Sequence, residues 1–281
     1  LIGSRRWWRR IAAVPVLLLL SALSAWALPL AANVPGGVAL LPLGTVLDSP
    51  DPPQAWLDQR PVWVARENGR WIAVVGIPLD ASPGTLALKI SIGGETRELP
   101  FDVRDKRYAE QRIRLKNDRQ VILSPDDERR ALAEIERIQA LKKYWRPGGG
   151  PQADFILPAD GRLASRFGLR RFFNGEPRAP HSGLDIAVPR GTPVKAAADG
   201  RVLAVDDYFF NGKTVFVDHG NGLLSMYCHL DRIDVAAGEA VAQGQPLGRS
   251  GMTGRASGPH LHWSVVLNGA MVDPELFVLR R

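Results

Sequence analysis

The chain has 281 residues, 45% of them hydrophobic and 23% charged, with a formal net charge of +7 and a single cysteine, Cys228. That composition excludes a disordered chain and an intramolecular disulfide, and it is enough for two domains with cores of their own. The positive balance does not argue for nucleic acid, because four of the seven excess charges are Arg5, Arg6, Arg9 and Arg10 at the very start.

Residues 1–32 join that arginine cluster to an uncharged apolar run from Ile11 to Ala32, the n-region and h-region of an export segment. Ala25-Trp26-Ala27 suits signal cleavage, and the run is also about long enough, at roughly 20 residues, to stay as a membrane anchor. Either outcome places the remainder outside the cytoplasmic membrane.

Residues 33–110 read as short strands. One hairpin turns at Glu67-Asn68-Gly69 and another at Gly93-Gly94, and this stretch holds no histidine. The expected unit is a small β-sandwich, with an immunoglobulin-like order as one option.

Residues 111–150 form a helical linker. Ser124 caps, Pro125 fits the first turn, Asp127 completes a capping-box pattern, and Lys142 and Lys143 trail as the helix dipole prefers. Leu132, Ile135, Ile138 and Leu141 give one apolar edge, and "RPGGGPQ" after the helix reads as a flexible boundary.

Residues 151–281 are glycine-rich short strands and hold all five histidines. In "HSGLDIAV", His181 and Asp185 stand four apart in a loop entering a strand. In "SGPHLHW", His260 and His262 stand two apart on a strand and project into one space. Two imidazoles and one carboxylate make the ligand set of a catalytic zinc, with a fourth position left for water. No HExxH glutamate is present, so the remaining histidines are the candidates for proton transfer. In "SMYCHL", alternation gives His229 the strand face of Tyr227 and Ser225 and sends Cys228 the other way, into the core. His219 reads as a turn residue, and Phe209 with Phe210 as either a groove rim or core.

"SRFGLRR", "HSGLDIAVPRGTPVKAAADGRV", "VDHGNGLLSMYCHL", "GQPLGRSGMTGRASGPHLHW" and "NGAMVDP" together resemble the lysostaphin-type (LytM-like) zinc metallopeptidases, which cut peptide cross-links of bacterial cell walls. The resemblance covers residues 164–274. It implies an antiparallel β peptidase domain and one Zn²⁺ per chain held by His181, Asp185 and His262. It also implies that His229 and His260 activate water and stabilise the tetrahedral intermediate. Ser225 stands where the family usually has Thr, and the hydroxyl is kept. The function implied is hydrolysis of peptidoglycan cross-links, D,D-bonds being favoured. The alternative is a non-catalytic relative that binds and activates other wall hydrolases. The loop "RRFFNGEPRAP" could cover the zinc, with Asn174 as a displaceable ligand, or simply wall the groove.

Overall fold

The computed structural model describes residues 28–113, 123–148, 151 and 153–278. The export or anchor reading falls on residues of which 1–27 lie outside that set, and among the described residues no helix is long and apolar enough to cross a membrane.

The chain is mainly β. Seven strands come first: β1 (Val38–Thr45), β2 (Gln54–Leu57), β3 (Arg60–Pro61), β4 (Trp63–Glu67), β5 (Arg70–Gly76), β6 (Gly84–Ile92) and β7 (Glu95–Val103). They form two antiparallel sheets, ordered β1-β5-β4 and β3-β2-β6-β7. Asn68-Gly69 and Gly93-Gly94, all at positive φ, make the two hairpin turns expected from the sequence. An immunoglobulin constant domain would order the same seven strands 1-2-5-4 and 3-6-7. Here β2 lies between β3 and β6, because a two-residue turn at Asp58-Gln59 ties it to β3 before the chain crosses to the other sheet through Val62.

Period-2 alternation gives the sheet β1-β5-β4 two buried faces. Ala39, Leu41, Ala73 and Val75 face the sandwich core with Leu88, Ile90 and Phe101. Val38, Trp63, Ala65 and Val74 point the other way and share a cluster with Leu223, Leu267 and Val272 from the second unit. Both sides of that sheet are therefore dry, which fixes its position against the second unit.

The second half contains β8 (Glu110–Ile113), α1 (Pro125–Lys142), β9 (Arg162–Ser165), β10 (Arg170–Phe173), β11 (Glu176–Pro177), β12 (Leu184–Ala187), β13 (Pro193–Lys195), β14 (Gly200–Tyr208), β15 (Gly212–Gly220), β16 (Leu223–Ile233), β17 (Ala240–Val241), β18 (Pro246–Ser250), β19 (Leu261–Leu267) and β20 (Ala270–Val272). One antiparallel sheet runs β17-β14-β15-β16-β19-β12-β9, with β18 joining β13 to β16 and β20 pairing β19. A small sheet, β11-β10-β8, lies apart, and in it β8 runs parallel to β10.

Ser124 caps α1 as expected, its Oγ accepting the Asp127 N–H at 3.1 Å. Only half of the expected apolar edge is covered. Ile138 and Leu141 pack against Tyr208, Phe216, Met226 and Cys228, whereas Leu132 and Ile135 are exposed. Ala131 and the buried Glu134 complete the packed face, and Glu134 Oε2 accepts the Phe209 N–H at 2.5 Å. The described part of "RPGGGPQ" is anchored: Arg146 pairs with the buried Asp218, and its carbonyl accepts the Asn221 N–H.

Candidate active site

Asp185 on β12 and Cys228 on β16 are the cross-strand neighbours of His262 on β19. Leu184, Ile186, Leu261 and Trp263 turn into the core. Asp185 and His262 are thereby left on the opposite face, by the pleat alone. His181 enters from the loop before β12. Its Nε2 lies 3.0 Å from Asp185 Oδ1 and 3.0 Å from His262 Nδ1, and Asp185 Oδ1 is 2.9 Å from His262 Nδ1. A tetrahedral zinc with bonds of about 2.0–2.1 Å sets its ligands about 3.3 Å apart, so this triangle needs only to widen slightly to hold one. Among the described residues, His181, Asp185 and His262 are the group of side chains able to hold a metal ion.

The far nitrogens fix the tautomers. His181 Nδ1 is 2.9 Å from the Arg166 carbonyl, which can only accept, so the proton sits on Nδ1 and Nε2 keeps its lone pair for the triangle. His262 presents Nδ1 instead, and its Nε2 lies 2.9 Å from the buried Ser264 Oγ, a hydroxyl able to accept the Nε2 proton and so leave the Nδ1 lone pair to a metal. Gly183 leaves room for that pair: a Cβ there would sit 2.5 Å from Ser264 Oγ and 2.7 Å from His262 Nε2. Burial alone would raise the Asp185 carboxyl; without a metal, protons on the facing nitrogens of His181 and His262 would hydrogen-bond and charge-stabilise the carboxylate, outweighing burial and holding it well below the usual range. Burial pushes His262 down, so the imidazole is kept neutral, the form a metal needs.

His229 reaches the same space by a route that alternation does not foresee. Tyr227 and Ser225 do face the core side, and continued alternation would bury His229 beside them, away from His262. Instead Cys228 and His229 together oppose one residue of β15, between the pairs Tyr227↔Val215 and Leu230↔Lys213. His229 takes φ +62° in this bulge, and its ring swings to the His262 side. The bulge lies where β16 stops pairing with β19 at Cys228 and begins pairing with β18 at Leu230. His260 sits in the opening, bridged to Gly251. The rings of His229 and His260 lie 4.7 Å apart, and His260 Nε2 is 3.8 Å from Asp185 Oδ1. Each has its Nδ1 pinned by a backbone carbonyl, Thr253 for His229 at 2.9 Å and Gly258 for His260 at 2.8 Å. Both therefore keep Nε2 as a proton acceptor. Burial pushes His229 down to about 4, against the pull of the Thr253 carbonyl.

Two expectations change. His219 is not a turn residue: it lies in β15 and is buried, with Nδ1 2.7 Å from the Asp199 carbonyl and Nε2 2.8 Å from Ser225 Oγ, which in turn meets the Tyr227 hydroxyl at 2.9 Å. That chain runs through the core, so Ser225 serves His219 and not the triangle. Cys228 is buried as expected, its thiol pushed up to about 12 by burial, but it lies on the sheet face of His262. Phe210 is part-exposed at the rim, beside Asn211, whose carbonyl accepts the His229 N–H. Asn174 and Gly175, both at positive φ, form the exposed tip of the β10–β11 hairpin, a turn that favours Asn-Gly on backbone grounds alone.

Sequence reasoning missed the supporting residues. Ser264 was in reach of it, since it stands two residues from His262 and shares its face. The Arg166 and Thr253 carbonyls, Ser165 and Arg171 carry no readable signal, because each arrives through strand pairing or loop closure.

Both units of the chain have counterparts among known proteins. Residues 179–274 match the family described as Peptidase family M23, and residues 31–106 match the Peptidase family M23 N-terminal domain. A Pseudomonas aeruginosa crystal structure described as a peptidase M23 protein is 44% identical, covers 89% of this chain and 96% of its own, and superposes with a TM-score of 0.75. The chain belongs to peptidase family M23. Among curated relatives of this M23 chain, the peptidoglycan DD-endopeptidase ShyA of Vibrio cholerae is 42% identical over 113 residues, which is 40% of this chain and 26% of ShyA. The DD-carboxypeptidase/endopeptidase Mpg of Neisseria meningitidis is 39% identical over 113 residues, with the same two shares. The chain thus matches about a quarter of the length of these curated relatives.

Proposed function

We propose that this M23 chain is a zinc-dependent endopeptidase that hydrolyses peptide cross-links of peptidoglycan, D,D-bonds being the favoured target. The carrying observation is the triangle of His181 Nε2, Asp185 Oδ1 and His262 Nδ1, each edge about 3 Å, with the acceptor nitrogens of His229 and His260 beside it. The three ligands are His181, Asp185 and His262, with one zinc per chain. Bound zinc supplies Lewis acidity toward a peptide carbonyl and lowers the pKa of bound water to about 7. His229 and His260 would work as the proton-handling pair: one Nε2 takes the proton from the attacking water, and the imidazolium so formed gives it to the departing amine. Burial keeps His229 neutral down to about pH 4, so it stays an acceptor at working pH.

The names of ShyA and Mpg support the choice of peptidoglycan and of a D,D-bond. The arginine-led apolar start supports export to the periplasm, with residues 1–32 as signal or inner-membrane anchor. We assign residues 33–110 to the sandwich, 111–150 to the linker and 151–281 to the peptidase unit, with peptidoglycan and no nucleic acid as partner. The test is metal content. The purified chain is expected to carry one zinc, to lose turnover on chelation and to regain it when zinc is restored, while His262→Ala neither retains zinc nor turns over. Full turnover by His262→Ala would sink the assignment.

A further inference from the structure

Arg171 lies on β10, outside the triangle, yet it meets the supports of two of its members. Its Nη2 donates to Ser165 Oγ at 3.2 Å and lies 3.8 Å from Asp185 Oδ2, the oxygen that faces away from the triangle. Ser165 is the cross-strand partner of Asp185, and its Oγ is 3.3 Å from His181 Nδ1. One guanidinium nitrogen therefore hydrogen-bonds the β9 residue beside His181 and lies within ion-pair range of the second oxygen of the carboxylate. Arg171 is itself fixed from behind. It stands opposite Gln111 in the parallel β8–β10 pairing, and its carbonyl accepts the Arg178 N–H across the hairpin. Its Nε is enclosed and meets no acceptor among the described residues, so the polar contacts of the side chain are those made by Nη2 toward the site.

We propose that Arg171 is a positioning residue: its guanidinium braces Asp185 Oδ2 and, through Ser165, the His181 ring, so that Oδ1 and Nε2 are presented to the metal. This rests on the zinc reading given above. A carboxylate that binds a metal through one oxygen can still rotate about its last bond, and a cation on the second oxygen fixes its plane. Nη2 makes both contacts from the end of a long, planar, rigid group, a position that the shorter stem and freely rotating ammonium of lysine hold less well.

The sign of the effect is not trivial, because a positive charge so near the site also repels a dication. If charge dominated, removing it would tighten zinc binding. If positioning dominates, removing it loosens zinc, by about the 10–100-fold typical of groups that orient metal ligands. The experiment is competition for zinc between the purified chain and a chromophoric chelator, for wild type, Arg171→Lys and Arg171→Met. The melting temperature of each metal-free form is read as the folding control. The expected order of affinity is wild type, then Lys, then Met, with kcat falling in that order and KM nearly unchanged. Equal or tighter zinc binding by Arg171→Met overturns the proposal. Should Arg171→Met fail to fold, Arg171→Lys decides alone: zinc binding as tight as wild type overturns it. A wild-type chain that takes up no zinc overturns the site reading itself, a result distinguishable from either.

Discussion

His219 shows how one buried imidazole ties stability to pH. Burial sets its pKa at about 4, opposed by the hydrogen bond to the Asp199 carbonyl, while an unfolded histidine titrates near 6.5. Between those values the unfolded chain binds a proton that the folded chain refuses. Stability is therefore complete above about pH 6.5 and falls as pH drops toward 4, by on the order of 3 kcal/mol from this residue. Urea unfolding of wild type and His219→Gln at several pH values should give a steeper acid-side loss for wild type, and parallel curves would refute the attribution. The same residue marks a limit of sequence reading. Its neighbours Gly220, Asn221 and Gly222 signal a turn, and nothing local reveals that Ser225 and Asp199 enclose it.

At the scale of elements, the bulge in β16 decides whether His229 belongs to the core or to the site. His229 lies beside His260 and His262, but the alternation offered for it leads to the wrong face. A left-handed residue, set by the switch of β16 from β19 to β18, supplies the turn that alternation lacks. A non-glycine residue in that conformation costs roughly 1–2 kcal/mol. His229→Gly is accordingly expected to be about 1 kcal/mol more stable than His229→Ala in denaturant titrations, with both losing at least about 100-fold in turnover. Equal stability of the two variants would show that the bulge is not strained. The elements themselves were largely legible: Asn68-Gly69, Gly93-Gly94 and Asn221-Gly222 turn where their composition says, and Ser124 caps α1. What was not legible is which apolar residues of α1 are covered, because Ile138 and Leu141 differ from Leu132 and Ile135 only in what the fold places opposite them.

At the scale of the whole molecule, the sandwich and the peptidase unit share one buried sheet face and one buried polar clasp. Asn268, at φ +43° in the β19–β20 turn, accepts the Gly76 N–H at 2.6 Å and donates to the Gly76 carbonyl at 3.1 Å. Asn268→Ala strands both backbone groups and strains the turn, and we expect a loss of about 2–4 kcal/mol in unfolding free energy with zinc content unchanged. A loss below 1 kcal/mol would mean that the apolar face alone holds the units together. The sequence points to both units and to all five site side chains. The near-continuous apolar runs of β1 and β5 are consistent with burial on both faces, but nothing in them says which element covers the outer face. We propose above that His181, Asp185 and His262 hold a zinc that serves hydrolysis of peptidoglycan cross-links. The most direct test of that proposal is mass spectrometry of peptides released from purified, cross-linked peptidoglycan by the wild-type chain and by His181→Ala. Wild type is expected to convert cross-linked dimers to monomers, and His181→Ala to leave them intact. Cross-links that survive the zinc-loaded wild type, or that His181→Ala cuts equally well, would contradict the proposal.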